Sequence, residues 1–193
     1  MNFQPSQSAK TLKANKKKRM KKIITIGLIM LGHLAFGQKE EVVEQIEDSY
    51  EYYEDALKKI KSAMYEIESC YDKDNSLNDI QSYASNAESY IGNAKRDIGY
   101  AEDEADDAED EASNIDCSDA EDNADDAEDY FYEAKRELNL AMSELSSAAY
   151  EDNIDYLSDY LSNAKNYISA AIKKMNYGVD ELIETLEALE DCN

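Results

Sequence analysis

The chain has 193 residues with one Pro, six Gly, no Trp and a formal net charge of −24 at pH 7. So few helix breakers favour long uninterrupted helices. The sign of the charge weighs against nucleic acid or an anionic membrane surface as a partner.

Residues 1–37 read as a signal peptide. Lys16, Lys17, Lys18, Arg19, Lys21 and Lys22 form a basic n-region, and residues 23–36 are apolar apart from Thr25 and His33. Ala35 and Gly37 then put small residues at −3 and −1 before Gln38, an export-type cleavage pattern. The apolar run is short for a membrane span, which needs about 20 residues. Met20 is a possible true start, and position 38 is not Cys, so nothing points to a lipid anchor. Cleavage after Gly37 removes eight of the twenty Lys and Arg and none of the forty-four Asp and Glu, leaving a net charge of −32. It also removes His33, the only histidine.

A first helix is expected from about Glu40 to Tyr71. Ile46, Tyr50, Tyr53, Leu57, Ile60, Met64, Ile67 and Tyr71 alternate by four and three, as one apolar seam requires, and Ala56, Ala63 and Cys70 widen it. Residues 72–76 then favour a turn, with Ser76 a suitable N-cap. The second helix keeps the same alternation from Leu77 through Ile80, Ala84, Ala87, Ile91, Ala94, Ile98, Ala101, Ala105, Ala108 and Ala112 to Ile115. Such unbroken seven-residue periodicity indicates coiled-coil-like packing. Asp116 and Cys117 interrupt it, and Ser118 with Glu121 fits a capping box that starts a third helix. Ala120, Ala124, Ala127, Phe131, Ala134, Leu138, Ala141, Leu145 and Ala148 form the third seam. After a turn at residues 151–153, a fourth helix uses Ile154, Leu157, Leu161, Ala164, Ile168, Ala171, Met175, Val179, Leu182, Leu186 and Leu189. The step from Met175 to Val179 is a stutter, and Gly178 beside it marks a kink or a stop; continuity is the expectation.

A repeat, Tyr-x3-Ala-x3-Ile/Leu-x2-Ala, begins at Tyr52, Tyr90, Tyr130 and Tyr160, once per helix. Convergent packing and duplication explain it equally. The fifteen Tyr read as seam-edge packing, with hydroxyls in water, rather than as a carbohydrate-binding surface.

Short loops force antiparallel neighbours, so the fold class is all-α: an antiparallel up-down four-helix bundle of long coiled-coil-like helices, one domain over residues 38–193. This topology sorts the charge. Residues 38–50, 102–129 and 178–193 share one end and carry twenty-seven acids against one base, Lys39. The block 102–129 alone holds sixteen, including Glu102, Asp103, Asp106, Asp107, Glu109, Asp110, Asp122, Asp125, Asp126 and Asp129. At mid-height, if helix four is continuous, Lys58, Lys59, Lys95, Arg96, Lys135, Arg136, Lys173 and Lys174 fall at a shared level and form a basic belt; the alternative, ordinary pairing to nearby acids, explains solubility but not the shared level. Cys117 and Cys192 meet at the acidic end and are the expected disulfide in an oxidising compartment. Cys70 is then a buried thiol or an intermolecular link. A fold-back at Gly178 would instead pair Cys70 with Cys192.

Catalysis has little support. Without histidine after cleavage there is no Ser-His or Cys-His pair, no Glu-x-x-His metal motif, and no zinc-type Cys spacing. Asp72, Asp74, Ser76 and Asn78 imitate the start of an EF-hand loop, but Leu77 replaces the turn glycine and Tyr83 the bidentate Glu. The sequence therefore predicts an exported, periplasmic or secreted, cofactor-free and non-enzymatic bundle, structural or interacting, whose acidic pole contacts cations or a basic protein. The alternatives are a low-affinity Ca²⁺/Mg²⁺ binder and a membrane-tethered bundle on an uncleaved signal anchor. Mass spectrometry of the exported protein is expected to find Gln38 at its N-terminus; a chain retaining residues 23–36 would establish the anchor instead.

Overall fold

The computed structural model describes residues 37–72 and 74–192. Four helices run through them: α1 (Gly37–Ser69), α2 (Leu77–Asn114), α3 (Ser118–Tyr150) and α4 (Ile154–Asp191), with no strand among the described residues. Helices of 33 and 38 residues extend about 50 and 57 Å at 1.5 Å per residue. The expected signal peptide lies outside the described residues, apart from Gly37, which opens α1.

The alanine stripes are the core. Ala84, Ala87, Ala94, Ala101, Ala105, Ala108 and Ala112 of α2 and Ala120, Ala124, Ala127, Ala134, Ala141 and Ala148 of α3 have no exposed surface. Consecutive helices pack extensively along these stripes, whereas α1 and α4 touch far less. Large residues separate that last pair: Ile46, Tyr50 and Tyr53 from α1, and Val179, Leu182, Leu186 and Leu189 from α4, all buried. Small side chains allow close approach on three seams, and bulky ones fill the volume at the fourth.

The α1 seam differs from its expected course. Ala56, Ile60, Ala63, Ile67 and Cys70 are buried, while Leu57 and Met64 are partly buried and Tyr71 is exposed. The deep stripe follows the alanines, so the heptad position of Leu57, Met64 and Tyr71 lies at the rim. Ile154, expected in the α4 seam, is 61% exposed because it begins the helix beyond the last packed layer.

The turns show how the ends are set. Ser76 caps α2 as expected and shares a capping box with Asp79. At the far end of α2, Asp116 takes φ 56°. The Cys117 N–H reaches Ala112 O at 3.1 Å and the Asp116 N–H reaches Ser113 O at 3.0 Å, a left-handed helix stop filled by Asp instead of Gly. Ser118 is not the cap of α3. Cys117 occupies that position without a side-chain cap bond, because its sulfur is committed to Cys192, with Cα atoms 5.8 Å apart. Cys70 is a buried thiol, its Sγ 3.4 Å from Glu66 O, and burial pushes it up to about 11. Such a group stays protonated and unreactive.

α4 continues through Gly178, and the glycine serves packing. A Cβ there would lie 2.9 Å from Cε1 of Phe131 and 3.2 Å from Ala127 O. At Gly99 a Cβ would meet only Lys135 Cδ, at 3.8 Å. Urea denaturation is expected to show Gly178→Ala destabilised by about 1–2 kcal/mol, overpacking exceeding the gain in helix propensity. Gly99→Ala should be neutral or more stable by up to about 1 kcal/mol.

Candidate functional site

The acidic pole is assembled where α1 and α3 begin and α2 and α4 end. The Cys117–Cys192 bridge joins α3 to α4 there. Lys39 of α1 donates to the carbonyls of Leu189, at 3.1 Å, and of Cys192. A lysine at a helix C-terminus satisfies orphan carbonyls and the helix dipole together.

Close packing then forces carboxylates of different helices to face one another. Burial and the Asp48, Asp107 and Asp103 charges raise Glu104 above the usual glutamate range. Burial does the same to Glu109, with Asp125, Asp106, Asp110 and Glu121 adding repulsion. For Glu128 the causes are burial, then Asp106, Glu102, Glu109 and Asp125; for Glu181 they are burial, then Glu184, Asp126 and Asp180. One oxygen each from Asp106, Glu109 and Glu128 lies within 4.8 Å of the others. Among the described residues these three are the ones placed to share a divalent cation.

Of the acidic residues singled out in the sequence, Asp103, Asp106, Asp107, Asp110, Asp122, Asp125, Asp126 and Asp129 are exposed and Glu109 is half-buried. Glu102 departs from that set. It is buried and ion-paired with Lys135, so it is a strut of the waist and not part of the solvent-facing pole. Glu104, Glu128 and Glu181 were not singled out, yet they carry the raised values. The available signal was adjacency to the seam: Glu104 precedes Ala105, Glu128 follows Ala127 and Glu181 precedes Leu182.

The belt residues divide by partner. Lys59 pairs with Asp97, Lys135 with Glu102 and Lys174 with Glu133, each joining consecutive helices. Lys58 pairs within its own helix with Asp55 at 2.6 Å. Lys173 lies over the Tyr177 ring, 5.3 Å from its centroid. Lys95, Arg96 and Arg136 line a groove between α2 and α3 together with Lys135. Simple pairing therefore accounts for half of the belt. The repeat tyrosines lie at seam edges, as Tyr52 against Tyr100 and Tyr130 against Tyr177 show, with centroids 5.2 and 5.4 Å apart.

No protein-family model matches the chain, and comparison with curated proteins and with solved structures gives no match either.

The raised glutamates fix the sign of the pH dependence. Their folded values exceed the ordinary 4.5, so the folded state holds protons that the unfolded state releases. Stability should rise as pH falls through those raised values, the gain being complete below 4.5. Asp55 and Asp79 are lowered from 3.8, by hydrogen bonds from Lys58 and Ser76 respectively, so their contribution is lost only in stronger acid. Thermal melts should show a higher midpoint at about pH 5 than at pH 7. Glu128→Gln should raise the midpoint at pH 7 and leave it unchanged below pH 4.5.

Proposed function

We propose that this chain is an exported, non-enzymatic structural or interaction module, with the acidic pole as its contact surface for a basic protein partner or for cations. One observation carries the reading. Carboxylates from all four helices are concentrated at one end, where burial first and mutual repulsion second raise Glu104, Glu109, Glu128 and Glu181. Core packing needs only the alanines beneath them. An arrangement that works against folding is accounted for by what it presents to solvent: a dense negative field that draws in and orients a cationic surface.

Export is supported by the N-terminal pattern and by the disulfide, a bond that persists in oxidising compartments. Among the described residues no helix is long and apolar enough to cross a membrane. The non-enzymatic reading rests on residues 38–193 having no histidine.

Binding of a Lys/Arg-rich peptide tests the pole. Wild type should bind at low salt and release at high salt. Joint Asp106→Asn, Asp107→Asn, Asp125→Asn and Asp126→Asn substitution should weaken binding by about tenfold or more, about 1.4 kcal/mol. Asp152→Asn with Asp155→Asn, at the opposite end, should change little; equal binding by the two variants would refute the assignment.

A second reading, a low-affinity Ca²⁺ or Mg²⁺ binder, is favoured by the Asp106, Glu109 and Glu128 cluster. Three carboxylates supply fewer oxygens than the six to eight of a dedicated calcium site unless several bind in bidentate fashion, so affinity would be low. CaCl₂ should then raise the melting midpoint beyond NaCl at matched ionic strength, and Glu109→Gln with Glu128→Gln should erase the difference.

A further inference from the structure

Among residues 38–193, twelve Lys and Arg stand against forty-four Asp and Glu. Of the described cations, Lys58, Lys59, Lys135 and Lys174 make side-chain ion pairs, and three of those that make none, Lys95, Arg96 and Arg136, stand together. The Lys95 ammonium donates to Asn139 Oδ1 at 2.7 Å and the Arg96 guanidinium to Asn93 Oδ1 at 2.8 Å. Arg136 makes no ion pair among the described residues. Neutral amides thus hold two of these side chains in place without cancelling their charge. All three line the same groove between α2 and α3, in two adjoining lobes of about 390 and 300 Å³ that share Lys95 and Lys135.

The floor of the groove is equally selective. Gly92 and Gly99 sit two helical turns apart on α2, where glycine is unfavourable. Packing does not demand it. An added Cβ would stand 3.4 Å from Met142 Cε at Gly92 and 3.8 Å from Lys135 Cδ at Gly99, ordinary contact or close to it, in contrast to the clash at Gly178. What the two glycines do accomplish is to leave the floor open. The walls are Met142, the lysine stems and the Tyr100 ring, which is 45% exposed, with Asp103 the one carboxylate in the lining.

Size and charge narrow the occupant. The lobes fall in the range of small-molecule clefts, whereas a second molecule's acidic pole is two helices wide, roughly 20 Å. Long nucleic acids are repelled by the molecule as a whole. A small anion meets the groove's own lining, which sets four cations, Lys95, Arg96, Lys135 and Arg136, against one carboxylate, Asp103, while charges well beyond about 8 Å are screened at physiological salt. An oxyanion on a ring with an apolar face suits both the uncompensated cations and the flat floor.

We propose that the α2–α3 groove binds an anionic saccharide. Its sulfate or carboxylate is held by Lys95, Arg96 and Arg136, and its ring lies across Gly92 and Gly99 beside Tyr100. This site adjoins the acidic pole at Asp103 and does not depend on the role assigned there.

Glycine-selective isotopic labelling of the full chain makes the test direct, because only six amide signals arise and Gly178 is a built-in control. Titration with N-acetylglucosamine 6-sulfate and, separately, glucuronic acid is expected to shift Gly92 and Gly99 saturably and leave Gly178 still; whichever saturates identifies the anion. Neutral N-acetylglucosamine and inorganic sulfate should not saturate at the same concentrations. Lys95→Gln with Arg136→Gln should weaken binding by about tenfold or more. Gly99→Ala should weaken it while the melting midpoint holds or rises, which separates binding from folding. The proposal is overturned if neither anionic sugar shifts the two glycines, if inorganic sulfate binds as well as the sugar, or if the double variant binds normally. Shifts that grow with protein concentration alone would overturn it in favour of a second copy.

Discussion

Alanine at the helix contacts lets α2 and α3 run close together, and the rest of the molecule answers to that closeness. Ala101, Ala105, Ala108 and Ala112 face Ala120, Ala124 and Ala127 with no exposed surface. Carboxylates one position from these alanines are then carried by both helices into each other's field, as Glu109 and Asp125 are. In a water-like surface a like-charge pair about 4 Å apart costs about 1 kcal/mol. A bridge spanning 75 residues, as Cys117–Cys192 does, contributes about 4 kcal/mol in the chain-entropy account. One disulfide is therefore comparable with a handful of these repulsions, and it sits at the end where they concentrate.

Periodicity made the four helices readable, because a stripe repeating every seven residues has one way to be buried. The disulfide followed from topology alone: helices of matched length bring residues 117 and 192 to the same end. Local signals failed where tertiary demands overrode them. Ser118 with Glu121 satisfies the capping-box pattern, yet Cys117 takes the cap position because its sulfur is already committed. Tyr71 keeps the spacing of the seam but lies at its rim, and Ile154 keeps it but begins its helix beyond the last packed layer. At Gly178 the expected continuity holds, but the reason for the glycine is tertiary: its missing side chain makes room for Phe131. Sequence spacing gives the face a residue occupies; it does not give the size of the neighbour opposite.

The charges show the same division. Counting heights along the helices placed eight cations at one level, but pairing depends on which residue stands across the seam. Lys59, Lys135 and Lys174 find Asp97, Glu102 and Glu133 there. Lys95 finds Asn139. In a chain so rich in acid, asparagine at that position separates a strut from an available charge. Glu102 shows the converse, being acidic in sequence yet absorbed by the waist in three dimensions.

The ion pairs also reveal which seam the molecule closes differently. Each of the three joins helices consecutive in the chain. Between α1 and α4 the polar ties among the described residues include the Tyr53 hydroxyl on Asn176, at 3.0 Å, and Lys39 on the carbonyls of Leu189 and Cys192. That seam has the least helix-to-helix contact and the largest side chains. The disulfide links α3 to α4 and does not tether α1, which is held at the pole by Val42, Val43 and Ile46 in the core and by Lys39 at the surface. Bulk at the fourth seam and alanine at the other three are thus one solution. Three close contacts draw the charges together, and the wide contact supplies the apolar burial that keeps them there.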